Sequence, residues 1–124
     1  MPRPPRISRA EFERLVERAI EQLPAQFQGR LENVVIAVED EPTDEDYELT
    51  DTPDDEDLFG IYRGPMRTEM SFDMLPDLPP QVVVFRGPIL RNTTSSGEAV
   101  KEIKDTLVHE LGHYFGLEDD EMPY

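Results

Sequence analysis

The chain has 124 residues, 37% of them hydrophobic, no cysteine, and 12 Lys+Arg against 28 Asp+Glu, for a formal net charge of −16. That length suits one domain spanning 1–124 with a modest core. The composition excludes a disulfide scaffold or a thiolate metal site, and it disfavours nucleic acid and anionic membranes as partners while favouring cationic ones.

Residues 1–7 form a Pro/Arg tail, expected to be disordered. No hydrophobic segment follows it, and no apolar run approaches the roughly 20 residues of a membrane span, so neither secretion nor membrane insertion is expected and the cytoplasm is the expected compartment. Ser8-Arg9-Ala10-Glu11 has the Ser-x-x-Glu pattern of a capping box. The helix it opens carries Phe12, Leu15, Val16, Ala19, Ile20 and Leu23 on one face and ends at Pro24.

Leu31–Val38 is a predicted strand, and its run Val34-Val35-Ile36-Ala37-Val38 suggests burial on both faces. Residues 39–57 hold 12 of the 28 acids and no Lys or Arg. This segment is expected to be a solvated acidic loop, with a rim selecting basic peptides as the functional alternative. The arginines at 3, 6, 9, 14 and 18 are candidate partners for it. Leu58–Arg63 is a second strand, Gly64-Pro65 a turn, and Met66–Phe72 a plausible hairpin partner. Pro76–Pro80 is a rigid connection, Gln81–Arg86 another buried strand, and Gly87-Pro88 its stop, with residues 89–94 bridging to the last helix.

Ser95-Ser96-Gly97-Glu98 is a second capping box, and Val100, Ile103, Leu107, Leu111 and Tyr114 form one buried stripe behind it. On that helix lies His109-Glu110-Leu111-Gly112-His113-Tyr114-Phe115-Gly116-Leu117-Glu118-Asp119. Two histidines four apart lie about 6 Å apart along the axis, on one face. They sit roughly 200° from the buried stripe, among Glu102, Asp105, Thr106, Gly112 and Gly116, as a metal at the floor of an open cleft requires. His109 and His113 are therefore candidate metal ligands. The glutamate between them, Glu110, is the candidate base that takes a proton from the attacking water. Gly116 lets the chain swing back, and Asp119, three residues later, can supply a third oxygen ligand, with Glu118 and Asp120 as competitors. Tyr62, Tyr114 and Tyr124 are candidate assisting groups, Tyr114 fitting the core better, and Asp105 is a candidate to orient an imidazole.

The succession of elements implies an α+β fold: a small mixed sheet of three to four strands packed with an N-terminal helix and the C-terminal metal-binding helix. An exposed sheet edge beside that helix, from Leu58–Arg63 or Met66–Phe72, could accept an extended peptide by strand addition.

On the H-E-x-x-H-x-x-G-x-x-D run, together with Val38-Glu39-Asp40-Glu41-Pro42, Leu58-Phe59-Gly60-Ile61-Tyr62 and Val82-Val83-Val84-Phe85-Arg86, the chain resembles small bacterial zincin-like metallopeptidases. The resemblance implies a minimal zincin fold, Zn2+ held by His109, His113 and Asp119, and Glu110 as general base. It also resembles the metzincins, with aspartate for their third histidine. The downstream Met-containing turn of that group has only Met122-Pro123-Tyr124 to match it. The expected activity is hydrolysis of a peptide or protein substrate, of cationic character. The alternative is a zincin-fold metal-binding or interaction module without useful turnover. Oligomeric state and natural substrate are left open.

Overall fold

The computed structural model describes residues 7–29, 31, 34–50, 52–53, 55–64 and 80–114. Helix α1, Arg9–Glu21, starts where the sequence places it. Ser8 is extended, and its hydroxyl accepts a hydrogen bond from the Glu11 backbone N–H at 3.2 Å. The Glu11 carboxylate meets the Ser8 hydroxyl at 3.3 Å, so the reciprocal half of the box goes to the side chain. Phe12, Leu15, Val16 and Ala19 are buried. Ile7, within the expected tail, is buried, and its carbonyl accepts from Arg86 Nη1 at 2.8 Å; the rest of that tail lies outside the described residues. After Pro24, the short helix α2, Ala25–Gln28, carries Phe27 into the core.

Among the described residues, three strands form one mixed sheet. They are β1 (Val35–Glu39), β2 (Gly60–Arg63) and β3 (Gln81–Phe85), in the order β1-β3-β2. β1 runs parallel to β3, from Val35 opposite Gln81 to Glu39 opposite Phe85. The burial on both faces expected of its apolar run is not found: β1 lies at the edge of the described sheet, where Val38 is buried but Val35 is 43% exposed. β2 runs antiparallel to β3, from Gly60 opposite Val84 to Arg63 opposite Gln81. The central position of β3 explains its unbroken apolar run, since Val82, Val83, Val84 and Phe85 are all 0% exposed. Successive side chains alternate between faces. Val38, Val82 and Val84 join the core made with α1 and the long helix α5, Ser96–Tyr114. Val83 and Phe85 face the other way and cluster with Ile61. The architecture is the expected α+β arrangement, and no described helix is long and apolar enough to cross a membrane.

The acidic segment departs from the loop expected over 39–57. It contains helix α3, Asp44–Leu49, capped by Thr43. Here the capping box is complete: the Thr43 N–H donates to Asp46 Oδ2 at 2.9 Å, and the Asp46 N–H donates to Thr43 Oγ1 at 3.2 Å. Asp44, Glu45 and Asp46 in the first turn complement the positive end of the helix dipole. The segment is also anchored rather than freely solvated. Arg63 grips Glu39 and the buried Asp46, Arg86 pairs with Asp40, and Arg91 with Glu41 and Asp57, at 2.8 to 3.1 Å. Of the N-terminal arginines considered as partners, Arg9, Arg14 and Arg18 are described and none pairs with a described acid of this segment; Arg9 donates to the Val38 carbonyl and pairs with Glu13.

A second departure follows β3. The strand ends at Phe85, and the chain turns directly into helix α4, Arg86–Arg91. Gly87-Pro88 does not stop regular structure, because Pro88 occupies the first helical turn, where a missing N–H costs no bond. Gly87 is needed for close approach: its N–H donates to the Asp40 carbonyl at 2.8 Å, and an added Cβ would lie 2.9 Å from that oxygen. At the start of α5, Ser95 Oγ accepts from the Glu98 N–H at 3.1 Å as expected. The Glu98 carboxylate reaches one residue further back than a capping box requires, to the Thr94 N–H at 2.9 Å and the Thr94 hydroxyl. The hairpin partner expected over Met66–Phe72 lies outside the described residues.

Candidate metal centre

Helix α5 buries the predicted stripe of Val100, Ile103, Leu107, Leu111 and Tyr114 against the sheet and α1. The helical period then turns His109 and His113 away from it, leaving His109 exposed and His113 half-buried. Their rings meet edge to face, 89° apart, with Nε2 of one 3.1 Å from Nε2 of the other. Two nitrogen lone pairs repel at that distance unless a proton or a cation lies between them. Nitrogens bound tetrahedrally to zinc at 2.0–2.1 Å stand about 3.3 Å apart, so this pair fits the ion with little adjustment. Among the described residues no third His, Asp or Glu joins them to complete a metal-binding group. Asp119, with its competitors Glu118 and Asp120, and with Gly116, Met122 and Tyr124, lies outside the described residues.

Glu110, which shares a cavity wall with His109, reaches β2. The backbone N–H of Tyr62 donates to its carboxylate. Burial nevertheless dominates and pushes the carboxyl pKa up to about 7, the Tyr62 N–H offsetting part of the rise. The origin of this contact is the sheet register. The Phe85 N–H donates to the Phe59 carbonyl, so hydrogen bonds to β3 fall on alternate residues of β2, and the amide of Tyr62 faces away from β3. Of the two candidate edge segments, Leu58–Arg63 thus supplies the edge strand that lies against α5 among the described residues.

Gly60 makes that approach possible. An added Cβ there would meet Thr106 Cγ2 at 2.5 Å and the Val83 carbonyl oxygen at 2.9 Å, with Glu110 Cγ at 3.8 Å. Sequence reasoning placed Gly60 in a strand without giving it a role, although a glycine inside a strand often marks a close backbone contact. It also missed the Tyr62 amide, because main-chain groups carry no residue-type signal. The Tyr62 ring packs against Tyr114 at a centroid distance of 5.3 Å, and Tyr114 is a core residue, as expected. Asp105 shares a cavity wall with His109 but makes no hydrogen bond to its imidazole among the described residues.

The chain resembles a solved structure titled as a conserved hypothetical protein from Thermus thermophilus, at 24% identity and a TM-score of 0.56, over 88% of this chain and 94% of that one. That likeness speaks for the fold alone. No curated protein matches the chain significantly. The sequence pattern of the family described as zincin-like metallopeptidase matches residues 31–124, taking in β1 to β3, α5 and the whole histidine motif, and the chain belongs to that family.

Proposed function

We propose that the protein is a zinc-dependent peptidase in which His109, His113 and Asp119 hold the metal and Glu110 moves the proton. The observation that carries this reading is the convergence of His109 and His113 to 3.1 Å between Nε2 atoms, on the helix whose intervening residue is a carboxylate of raised pKa. Bound there, zinc would supply the Lewis acidity that makes an attacking water acidic and polarises the scissile carbonyl.

The chain's own residues supply the rest. Both imidazoles must be neutral at Nε2 to act as ligands, which leaves Nδ1 as the protonated nitrogen of each ring. Glu110 accepts the proton of the attacking water on its carboxylate and returns it to the leaving amine. A carboxyl poised near neutrality can do both, being neither too weak a base for the first transfer nor too weak an acid for the second. The Tyr62 N–H fixes the direction of that carboxylate, so the proton carrier is aimed by the edge strand. Among the described residues β2 is an edge strand, beside which an extended substrate could add as a strand.

The test is turnover of a peptide library by the zinc-loaded full chain, compared with Glu110→Gln at equal zinc content. Cleavage by the wild type that disappears in the variant supports the peptidase. Tight zinc binding with no cleavage of any library member would leave the second reading, a metal-binding or interaction module built on the zincin fold.

A further inference from the structure

We infer that the cavity running from Glu110 toward the start of α5 takes the side chain of a lysine or arginine in the bound peptide, selected by Glu102 and Asp105. The inference rests on the peptidase reading for its substrate class and deepens it.

The cavity holds about 410 Å³ and adjoins the candidate metal centre directly, with His109 and Glu110 in its wall. Glu102, Asp105 and His109 are spaced 3 and 4 along the helix, and therefore share a face. Asp105 lies about 6 Å and Glu102 about 10 Å before His109 along the axis. A substrate side chain entering beside the reacting bond would run along this row. Leu58, Phe59 and Val108 line the same space and present apolar surface. An apolar sleeve ending in carboxylates matches a lysine or arginine, whose methylene stem buries while its charged head seeks an anion. An acidic side chain would meet two like charges, and an apolar one would leave both carboxylates desolvated and unpaired.

Those carboxylates differ from the acids that arginines hold beside the sheet. Glu39, Asp40, Glu41, Asp46 and Asp57 are each matched by Arg63, Arg86 or Arg91. Among the described residues, Glu102 and Asp105 form neither an ion pair nor a hydrogen bond. Burial and the neighbouring Asp105 together hold Glu102 above the ordinary carboxylate range, and the exposed Lys101 offsets only part of this. The 39–57 segment, though richer in acids, has several of them paired with arginines of β2 and α4. Among the described residues that line the cavity, the carboxylates left without a cation are thus those of α5.

Two measurements on the zinc-loaded full chain test this. The first is cleavage of a peptide library, followed by kcat/KM for a lysine peptide and its norleucine counterpart. The second is binding of the same two peptides to Glu110→Gln protein by fluorescence anisotropy. Each is repeated with Glu102→Gln/Asp105→Asn. We expect cleavage sites enriched in Lys or Arg at one position flanking the bond, and a lysine-to-norleucine ratio that falls about tenfold in the double variant, in both measurements. The ratio is internal to each protein, so a general loss of fold or zinc does not mimic the effect. Cleavage without cationic enrichment, or a ratio unmoved by the double variant, overturns the pocket and leaves the peptidase. Charge-selective binding that the double variant abolishes, without cleavage by wild type, keeps the pocket and overturns the peptidase. Neither cleavage nor selective binding overturns both.

Discussion

The main-chain amide of Tyr62 donates to the carboxylate of Glu110, tying the edge strand to the residue between the two histidines. A carboxylate so placed is partly withdrawn from water and has one main-chain donor in place of a full hydration shell. Its proton affinity rises because the single hydrogen bond does not replace the solvation lost.

This has a consequence for stability. In the metal-free protein the folded chain holds the Glu110 proton up to about pH 7, while the unfolded chain releases it near the ordinary value of 4.5. The folded state binds more protons in that window, so stability falls as pH rises through it and is level beyond. Glu110→Gln removes this slope and is expected to stabilise the metal-free protein by about 2 kcal/mol at pH 8, after allowance for partial exposure, with little effect at pH 4. Urea unfolding with chelator present at the two pH values measures it. An equal effect of the substitution at both would contradict the raised pKa.

Gly60 is expected to tolerate no side chain. Gly60→Ala drives a methyl into Thr106 and the Val83 carbonyl, and should cost about 1–3 kcal/mol by overpacking. Thr106→Ser removes the Cγ2 atom that stands 2.5 Å from the new Cβ, and in combination should recover part of the loss. The double-mutant cycle on denaturant midpoints reports the coupling, and strict additivity would show that α5 and β2 can part without cost.

Arg63 holds two carboxylates at once, and Asp46 is the one that depends on it. The Asp46 side chain is 3% exposed. Burial alone would raise its pKa, but the Thr43 N–H and the Arg63 guanidinium outweigh that and hold it below the ordinary carboxylate range. Its contribution to stability is thus present above the ordinary value of 3.8 and lost as pH falls through the lowered one. Arg63→Met leaves the charge buried without its cation and is expected to cost about 3 kcal/mol at pH 7. The deficit should shrink below pH 4, where Asp46 in the variant takes up a proton. A deficit independent of pH would assign the loss to packing of the arginine stem instead.

Metal binding is expected to appear as stability. Zinc at a hundred times its Kd should raise the unfolding free energy by about 2.7 kcal/mol and shift the melting temperature upward. His109→Ala and His113→Ala should each abolish the shift. Asp119→Ala should do the same, while Glu118→Ala and Asp120→Ala should retain it. A zinc-dependent shift that survives Asp119→Ala and disappears in one of the other two moves the oxygen ligand to that neighbour.

Much of this was present in the order of residues alone. The period of Val100, Ile103, Leu107, Leu111 and Tyr114 specifies both the buried face of α5 and the face that must carry His109 and His113, because a helix has one geometry. The run Val82–Phe85 fits the central strand, covered on both faces, but the run Val35–Val38 looks alike and forms an edge strand of the described sheet, so the pattern alone did not tell the two apart. Local signals misled where two residue types compete. The acids of 39–57 concealed α3, although Thr43 and Asp46 form the very box that opens it, and Gly87-Pro88 looked like an ending while fitting the first turn of α4.

The pairing of two histidines and an intervening glutamate was therefore decided by sequence, since it needs only the repeat of one helix. Which main-chain amide meets Glu110, why residue 60 has no side chain, and which carboxylates are left without an arginine were decided by tertiary structure. Those relations join residues from α5, β2 and the acidic segment, far apart in the chain. Strand register and helix docking bring them together, and neither leaves a mark in the local pattern.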